Sequence, residues 1–563
     1  MARESTVAEV VASIISQFNA TICFGVVGTA NFVVTKALAE NGVRFVAARH
    51  ESNAVMMADG VSRTTGQLAL ASVHSGPGLT NAVTAIAEAA KNRTALLVLT
   101  GDVATGDLRN NFSFDQASLV KSVGANFEKI HTGKTAVADT IRAVTRVVRD
   151  RQTVVLSLPE DVQAELVHLP DAGFQTYDAW SYRRRTTAPD TDSVGSLADA
   201  VQRAKHPLIL AGRGAVVANA RDSLLFLGNQ IGALIATSLA ANGLFEGADW
   251  NLGIVGGFSS PVALDAVPDC DLILGFGVSF SHWTTRQGRL INPNATIVQI
   301  DNDLERLGVN RATGMQVLGD AALTAEALSA ELNRRGLATQ LGWRTTGNLS
   351  SRFSSTASNN DVESYIDGPD LIDPRLLSKT VDSVLPKDRI VVTDSGHFMG
   401  WPPQYISVPD AQGWCMPTSF QSIGLALGAS IGAGIVQPAR VTILAIGDGG
   451  LMMSISDLIT AVTLNLRMCI VVYNDSAYSA EVHYFQHRGY DTSIVEFPNT
   501  SFLEIAKALG AEAIVVKSTK DLESLHDWVD RGCPGTFLID ARVDPSVVAD
   551  WYRDAFLGDT SVH

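Results

Sequence analysis

Two apolar runs in the last third of the chain each stop at an aspartate. VTILAI (441–446) runs into Gly447-Asp448-Gly449-Gly450, and MCIVVY (468–473) runs into Asn474-Asp475, twenty-seven residues after the first aspartate. Short apolar runs closed by turn residues read as buried parallel strands. Between them Leu458, Ile459, Val462 and Leu466 recur at helical spacing, and Ser454 three residues before Asp457 reads as a capping-box start. Strand, helix and parallel strand make one right-handed unit. Such a unit carries Asp448 and Asp475 to the carboxyl edge of a sheet, where open α/β sheets bind ligands. Two carboxylates there suit a hard cation. Gly447, Gly449 and Gly450 beside a helix N-terminus let backbone N–H groups approach an anion. A diphosphate bridged by Mg2+ satisfies both features.

The elements around this unit repeat its pattern. Strand-like runs ICFGVV, VRFVAAR, LALASV, ALLVLT and TVVLSL alternate with helical segments through the first part of the chain, after an initial amphipathic helix in ARESTVAEVVASIISQF. PLILAG, ALIATS, LILGFG and TIVQID follow, and then RIVVTD, the central unit, AEAIVV and TFLIDA. Alternation of this kind predicts three doubly wound parallel α/β domains. We expect them at 1–170, 190–340 and 370–550, with a tail at 551–563. Polar linkers are expected at 165–194, including Arg183-Arg184-Arg185, and at GNLSSRFSSTASNN (347–360). The aromatic tail ADWYRDAFLG reads as a last helix or a lid.

With 563 residues the chain exceeds one core. A net charge of −15 argues against nucleic acid or an anionic membrane as partner. Five scattered cysteines suit reduced thiols in a cytoplasm, and no apolar run reaches the length of a membrane span.

Other residues have chemical types at telling places. Glu51 in RFVAARHESNAVMMADGVSR sits where a strand meets a helix, a carboxylate favoured by the helix dipole. His74 ends a strand in ASVHSGPGLTN. Glu481 follows the second aspartate in NDSAYSAEV, with His483 and His487 one helical turn apart after it. SFQSIGLALGASIGAG (419–434) reads as a helix start whose small residues permit close packing. Gly212 and Gly214 after PLILA form a lone GxG, weak evidence for a nucleotide.

Taken together, GDG with Asp475, RHE-x-x-A-x-x-M-A-D-G-x-x-R, SGPG and FG-x-x-G resemble thiamine diphosphate enzymes of the pyruvate decarboxylase, benzoylformate decarboxylase and acetolactate synthase superfamily. The resemblance covers nearly the whole chain, in the order pyrimidine-binding, central and diphosphate-binding. It implies that Asp448, Asp475 and the Ala477 carbonyl hold Mg2+. Ser395, Gly396 and His397 in TDSGHFMGW, with Gly447, Gly449, Gly450 and Tyr478, would surround the diphosphate. Glu51 would hydrogen-bond the aminopyrimidine, the Gln421 carbonyl its amino group, and Ile423 would bend the two rings together.

His74 and Glu481 match proton-transfer residues of the decarboxylases. Thr29, Ala30, Asn110, Asn111, Phe112 and Ala480 would border the substrate. The implied activity is a decarboxylase or carbon–carbon lyase acting on a 2-oxo acid or 2-hydroxy ketone through an enamine, in a homodimer or homotetramer with sites between subunits. An acetolactate synthase-like carboligase is the rival, and a catalytically silent homologue a remoter one. Some relatives hold FAD in the central domain; no FAD is the expectation here. Two departures stand out. Asp475 replaces the usual asparagine, and RNNFSFDQ (109–116) carries neither the His-His of pyruvate decarboxylases nor the Phe-Gln of acetolactate synthases.

Overall fold

The computed structural model describes residues 4–168, 186–337, 342–345 and 365–558. Three six-stranded parallel sheets with flanking helices account for almost all of them. Most of the first expected linker, the whole of the second and the last five residues lie outside the described residues.

In the first sheet the strands lie side by side as Arg44–Ala47, Ile22–Gly25, Ala69–Val73, Leu96–Asp102, Thr153–Pro159 and Asn126–Lys129. The third sheet runs Trp414–Cys415, Arg389–Thr393, Val441–Gly447, Met468–Asn474, Thr536–Arg542 and Glu512–Val516. Numbered within each unit, both follow the order 2-1-3-4-6-5. The sheet between them differs. Its strands Asn251–Ile254, Leu234–Thr237, Pro207–Ala211, Leu272–Phe276, Thr296–Asp301 and Met315–Leu318 follow 3-2-1-4-5-6.

Every apolar run named above is a strand. Within the six-stranded sheets four strands escaped that reading: Asn126–Lys129, Asn251–Ile254, Met315–Leu318 and Trp414–Cys415. All four are at sheet edges. Three of them are partly exposed, so their sequences need not be continuous apolar runs, while Trp414–Cys415 is buried but only two residues long.

Three helix starts also differ from expectation. Glu4–Thr6 pairs antiparallel with Leu166–His168, and the first helix begins at Val7 under a capping box between Thr6 and Glu9. In the central unit of the third sheet the helix starts at Asp448 itself and runs to Ser454, followed by a 3-10 turn Ile455–Asp457 and a helix Leu458–Thr463. Ser454 is no cap: its hydroxyl donates to the Gly450 and Leu451 carbonyls at 3.2 and 3.4 Å. Likewise 419–425 is irregular, with Gln421 and Gly424 at positive φ, and the regular helix spans Ala426–Val436.

One apolar core runs without a break through the first and third units. At its centre the Glu51–Thr65 helix crosses the Ala426–Val436 helix backbone to backbone. A Cβ on Gly432 would overlap the Met57 carbonyl oxygen and lie 2.7 Å from its carbon. One on Gly428 would lie 2.8 Å from the Asn53 carbonyl oxygen. Only glycine allows this approach. The central unit has cores of its own.

Residues 549–557 pack down on the central and third units. Trp551 and Tyr552 are buried, and the Asp550–Tyr552 turn continues to Leu557. Asp554 pairs with Arg286 at 2.8 Å and Arg289 at 2.5 Å in the central unit. Trp551 packs against Phe258 and Trp283 of that unit, while the Tyr552 hydroxyl donates to the Ala480 carbonyl.

Candidate active site

At the carboxyl edge of the third sheet, Gly447 is in register with Tyr473, so the strand ends bring Asp448 and Asp475 together. Asp448 is raised to about 7 by burial and by the charge of Asp475. Asp475 is raised to about 6 by burial, against a bond from the Ser479 hydroxyl. A buried carboxylate raised by the charge of a half-buried neighbour makes a site that a cation relieves. Among the described residues no group of three or more His, Cys, Asp or Glu is placed to hold a metal, so a cation here also needs backbone oxygen. Ala477 lies next to Asp475 in a short antiparallel bridge to Glu496, with Tyr478 N–H donating to the Val495 carbonyl at 2.9 Å. Tyr478 covers the glycine turn: a Cβ on Gly449 would come within 2.5 Å of its ring.

Asp394, at the end of the next strand, was not singled out from sequence. Fully buried, it accepts the backbone N–H groups of Gly424 at 2.6 Å and of Leu425 and Ala426 at 3.3 Å. Burial nevertheless pushes it up to about 7. It caps the Ala426–Val436 helix from another strand and so fixes Gln421 to Ile423 just before it. The signal was present in TDSG, an aspartate ending an apolar run as Asp448 does.

Glu88 holds the same segment from the other side. It is buried in the first unit and accepts the N–H groups of Ser419 at 2.9 Å and Phe420 at 2.5 Å. Arg63 bridges Glu88 at 2.7 Å and Asp59, and donates to the Met416 carbonyl at 3.0 Å.

The first sheet's carboxyl edge gathers a second cluster. Glu51 opens its helix behind His50, whose Nδ1 accepts the Ser52 N–H. The Asn81 amide donates to Glu51 at 3.1 Å, and Asn81 ends the short Pro77–Asn81 helix formed by SGPG. His74 borders that helix: a Cβ on Gly78 would lie 3.0 Å from the His74 Cβ and 3.6 Å from a Glu51 carboxylate oxygen. The His74 Nδ1 lies 2.8 Å from the Ser75 carbonyl, so Nδ1 carries the proton. Its Nε2, 3.2 Å from the Thr29 hydroxyl, then accepts. Phe112 meets the ring edge-on at 5.1 Å, with Asn110 and Asn111 beside it, and Ala30 is buried behind Thr29.

Glu481 is exposed near the start of the Ser479–Gln486 helix, past Ala480. Ser395 and Gly396 are half-buried at the turn, whereas the His397 ring faces the chain end: its Nε2 accepts the Ala549 N–H at 2.9 Å. Burial holds His397 well below the usual histidine range. The His483 ring lies 4.4 Å from it, and His487 is exposed, so the two histidines of the i, i+4 pair face different surroundings.

A cleft of about 1470 Å3 opens at the carboxyl edge of the central sheet and extends to Ser395 and Gln421. Arg213, Gly214, Gly277, Asp301 and Arg306 are on its wall. The GxG glycines have a packing reason: a Cβ on Gly214 would lie 2.6 Å from the Gly277 Cα.

The three units correspond to three family descriptions. Residues 5–120 match "Thiamine pyrophosphate enzyme, N-terminal TPP binding domain", 194–328 the central domain and 394–541 the C-terminal TPP binding domain. The chain belongs to the thiamine pyrophosphate enzymes. Relatives in this family match nearly its full length at low identity. A probable acetolactate synthase large subunit of Methanocaldococcus jannaschii is 26% identical over 93% of this chain and 90% of its own. A sulfoacetaldehyde acetyltransferase of Roseovarius nubinhibens is 24% identical over 94% and 91%, and that of Rhodobacter capsulatus 25% over 98% and 96%. As a thiamine pyrophosphate enzyme, the chain presents a donor set that fits its cofactor: an acidic pair for a cation beside a glycine turn, and a carboxylate at a helix start on another unit. No helix among the described residues is long and apolar enough to cross a membrane.

Proposed function

We propose that this chain is a Mg2+-dependent thiamine diphosphate lyase that breaks the carbon–carbon bond beside the carbonyl of a 2-oxo acid or 2-hydroxy ketone. The observation that carries the reading is the cluster of Glu51, Asn81, His74 and Thr29 around one short helix, which combines a carboxylate with a histidine set to accept a proton. Thiamine diphosphate, when bound, supplies the electron sink for such a cleavage.

Asp448, Asp475 and the Ala477 carbonyl hold the metal in this reading. Ser395, Gly396 and the glycines at 447, 449 and 450 receive the diphosphate, with Tyr478 over the turn. The Gln421 carbonyl accepts the aminopyrimidine's amino hydrogen, Ile423 supports the rings, and Glu51 shares a proton with the pyrimidine nitrogen. His74 moves a proton at the substrate, and Glu481 returns one to the product. Thr29, Ala30, Asn110, Asn111, Phe112 and Ala480 shape the pocket.

Exposed apolar side chains support a subunit face. Val27, Phe32 and Phe112 are exposed in the first unit, with Phe112 against His74, and Phe420, Met453 and Phe485 are exposed in the third. Patches of this kind mark association surfaces. A dimer that pairs the first unit of one protomer with the third of its partner would cover both, and homodimer or homotetramer is the proposed assembly.

The names of the relatives favour a second reading, in which the fragment is passed to a second carbonyl or another acceptor instead of a proton. Product identification after incubation with thiamine diphosphate, Mg2+ and a panel of 2-oxo acids decides. Aldehydes support the lyase. Acetolactate or acyloins as the main products move the assignment to a carboligase, and no product from any acid overturns both.

A further inference from the structure

We infer that Asp457, in the third unit, is the positioning residue for Glu51 in the first. The inference rests on the reading of Glu51 as the group that touches the cofactor's pyrimidine. Asp457 is completely buried. One carboxylate oxygen accepts the Arg49 backbone N–H at 2.9 Å and the Thr460 hydroxyl at 2.8 Å, and the other accepts the Asn53 side-chain amide at 2.7 Å. Asn53 also donates to the Ser454 carbonyl at 3.1 Å. Arg49 and Asn53 bracket Glu51, two residues to either side.

A carboxylate taken wholly out of water persists only where donors surround it. Bonds to an ionised acceptor are also the stronger and more directional kind. Asp457 spends two of its three on the junction where the extended chain at Arg49 turns into the Glu51–Thr65 helix. Glu51 itself is half-buried and takes the Asn81 amide as partner. Its carboxylate is therefore aimed by the backbone on either side of it, and that backbone is held from the third unit. Misplacing a reacting group by about 1 Å can cost about 10²-fold in rate. The side chain that the sequence offers as the second half of a capping box thus has a different employment.

The test uses full-length enzyme loaded with thiamine diphosphate and Mg2+, and measures three things: cofactor affinity by calorimetry, proton exchange at the cofactor's reactive carbon by NMR without substrate, and kcat. Asp457→Asn keeps size and places an amide against donors. Asn53→Ala removes one bond and leaves the carboxylate to Arg49 and Thr460, so it serves if Asp457→Asn does not fold. In each variant we expect exchange and kcat to fall together by about tenfold or more, with cofactor affinity within about threefold. A role confined to folding would lower the melting temperature and leave exchange per bound cofactor at the parent rate, and that result overturns the inference. Glu51→Gln is the reference. If it exchanges at the parent rate, the reading of Glu51 fails first; if it loses exchange while both other variants keep it, Asp457 alone is misassigned.

Discussion

Gly432→Ala tests the crossing of the Glu51–Thr65 and Ala426–Val436 helices. Inside a helix, glycine to alanine ordinarily stabilises by about 1 kcal/mol. Here the new methyl would lie 2.7 Å from the Met57 carbonyl carbon and 2.9 Å from its Cα, besides overlapping the carbonyl oxygen. Carbon atoms rest at about 3.5–4.0 Å, so the helices must part by roughly 0.7 Å or more. A gap of that size forfeits about a quarter to a half of the contact energy of the atoms lining it. Overpacking costs typically ~1–3 kcal/mol, with the upper end apt where backbone must move. After the helix gain, the net loss is about 2 kcal/mol. Gly195→Ala is the control, because a Cβ there meets only an Arg335 nitrogen at 3.6 Å within another helix. Urea unfolding followed by circular dichroism should lower the midpoint for Gly432→Ala and raise it slightly for Gly195→Ala. Equal or higher midpoints for both would refute the claim that backbone contact sets the spacing.

Glu51→Gln should lose about 10²-fold or more in kcat while binding thiamine diphosphate normally; unchanged turnover in a steady-state assay would remove it from the mechanism. Glu481→Gln should slow product formation and spare cofactor binding, and equal rates would return it to the surface. Asp448 is held at about 7 when folded, above the ~3.9 of an unfolded aspartate. Its favourable contribution is therefore present below about pH 4 and lost as pH rises through about 7. Without metal, Asp448→Asn should melt higher than the parent at pH 8 and converge with it near pH 4. Parallel pH profiles would show that no such cost exists. Added Mg2+ with thiamine diphosphate should raise the parent's melting temperature and leave that of Asp448→Asn nearly unmoved.

The strands buried in the sheets were legible because burial on both faces forces an unbroken apolar run, as in Met468–Tyr473. The edge strand Trp414–Cys415, two residues long, left no such trace. Asp448, Asp475, Glu51 and His74 could be picked out because each follows a strand at a turn or helix start, a local pattern. Asp394, Glu88, Asp457 and Asn81 act through contacts with residues distant in sequence or through single bonds, and local periodicity is blind to those. The Ser454–Asp457 pair had the right spacing for a cap. Yet Gly447 and Asp448 started the helix about two turns earlier, and the buried Asp457 was claimed by the first unit.

The residues from Ala549 to Leu557 are moored at both ends. On one side they hang from His397 and from the Ala480 carbonyl, next to Glu481; on the other they are pinned by Arg286 and Arg289. A rope tied to two posts does not slacken by degrees. Tyr552, bonded to Ala480, directly follows Trp551, which packs on Phe258 and Trp283, so the two contacts are tied to each other. Through Arg286 and Arg289 the central unit thereby ties this segment to the third.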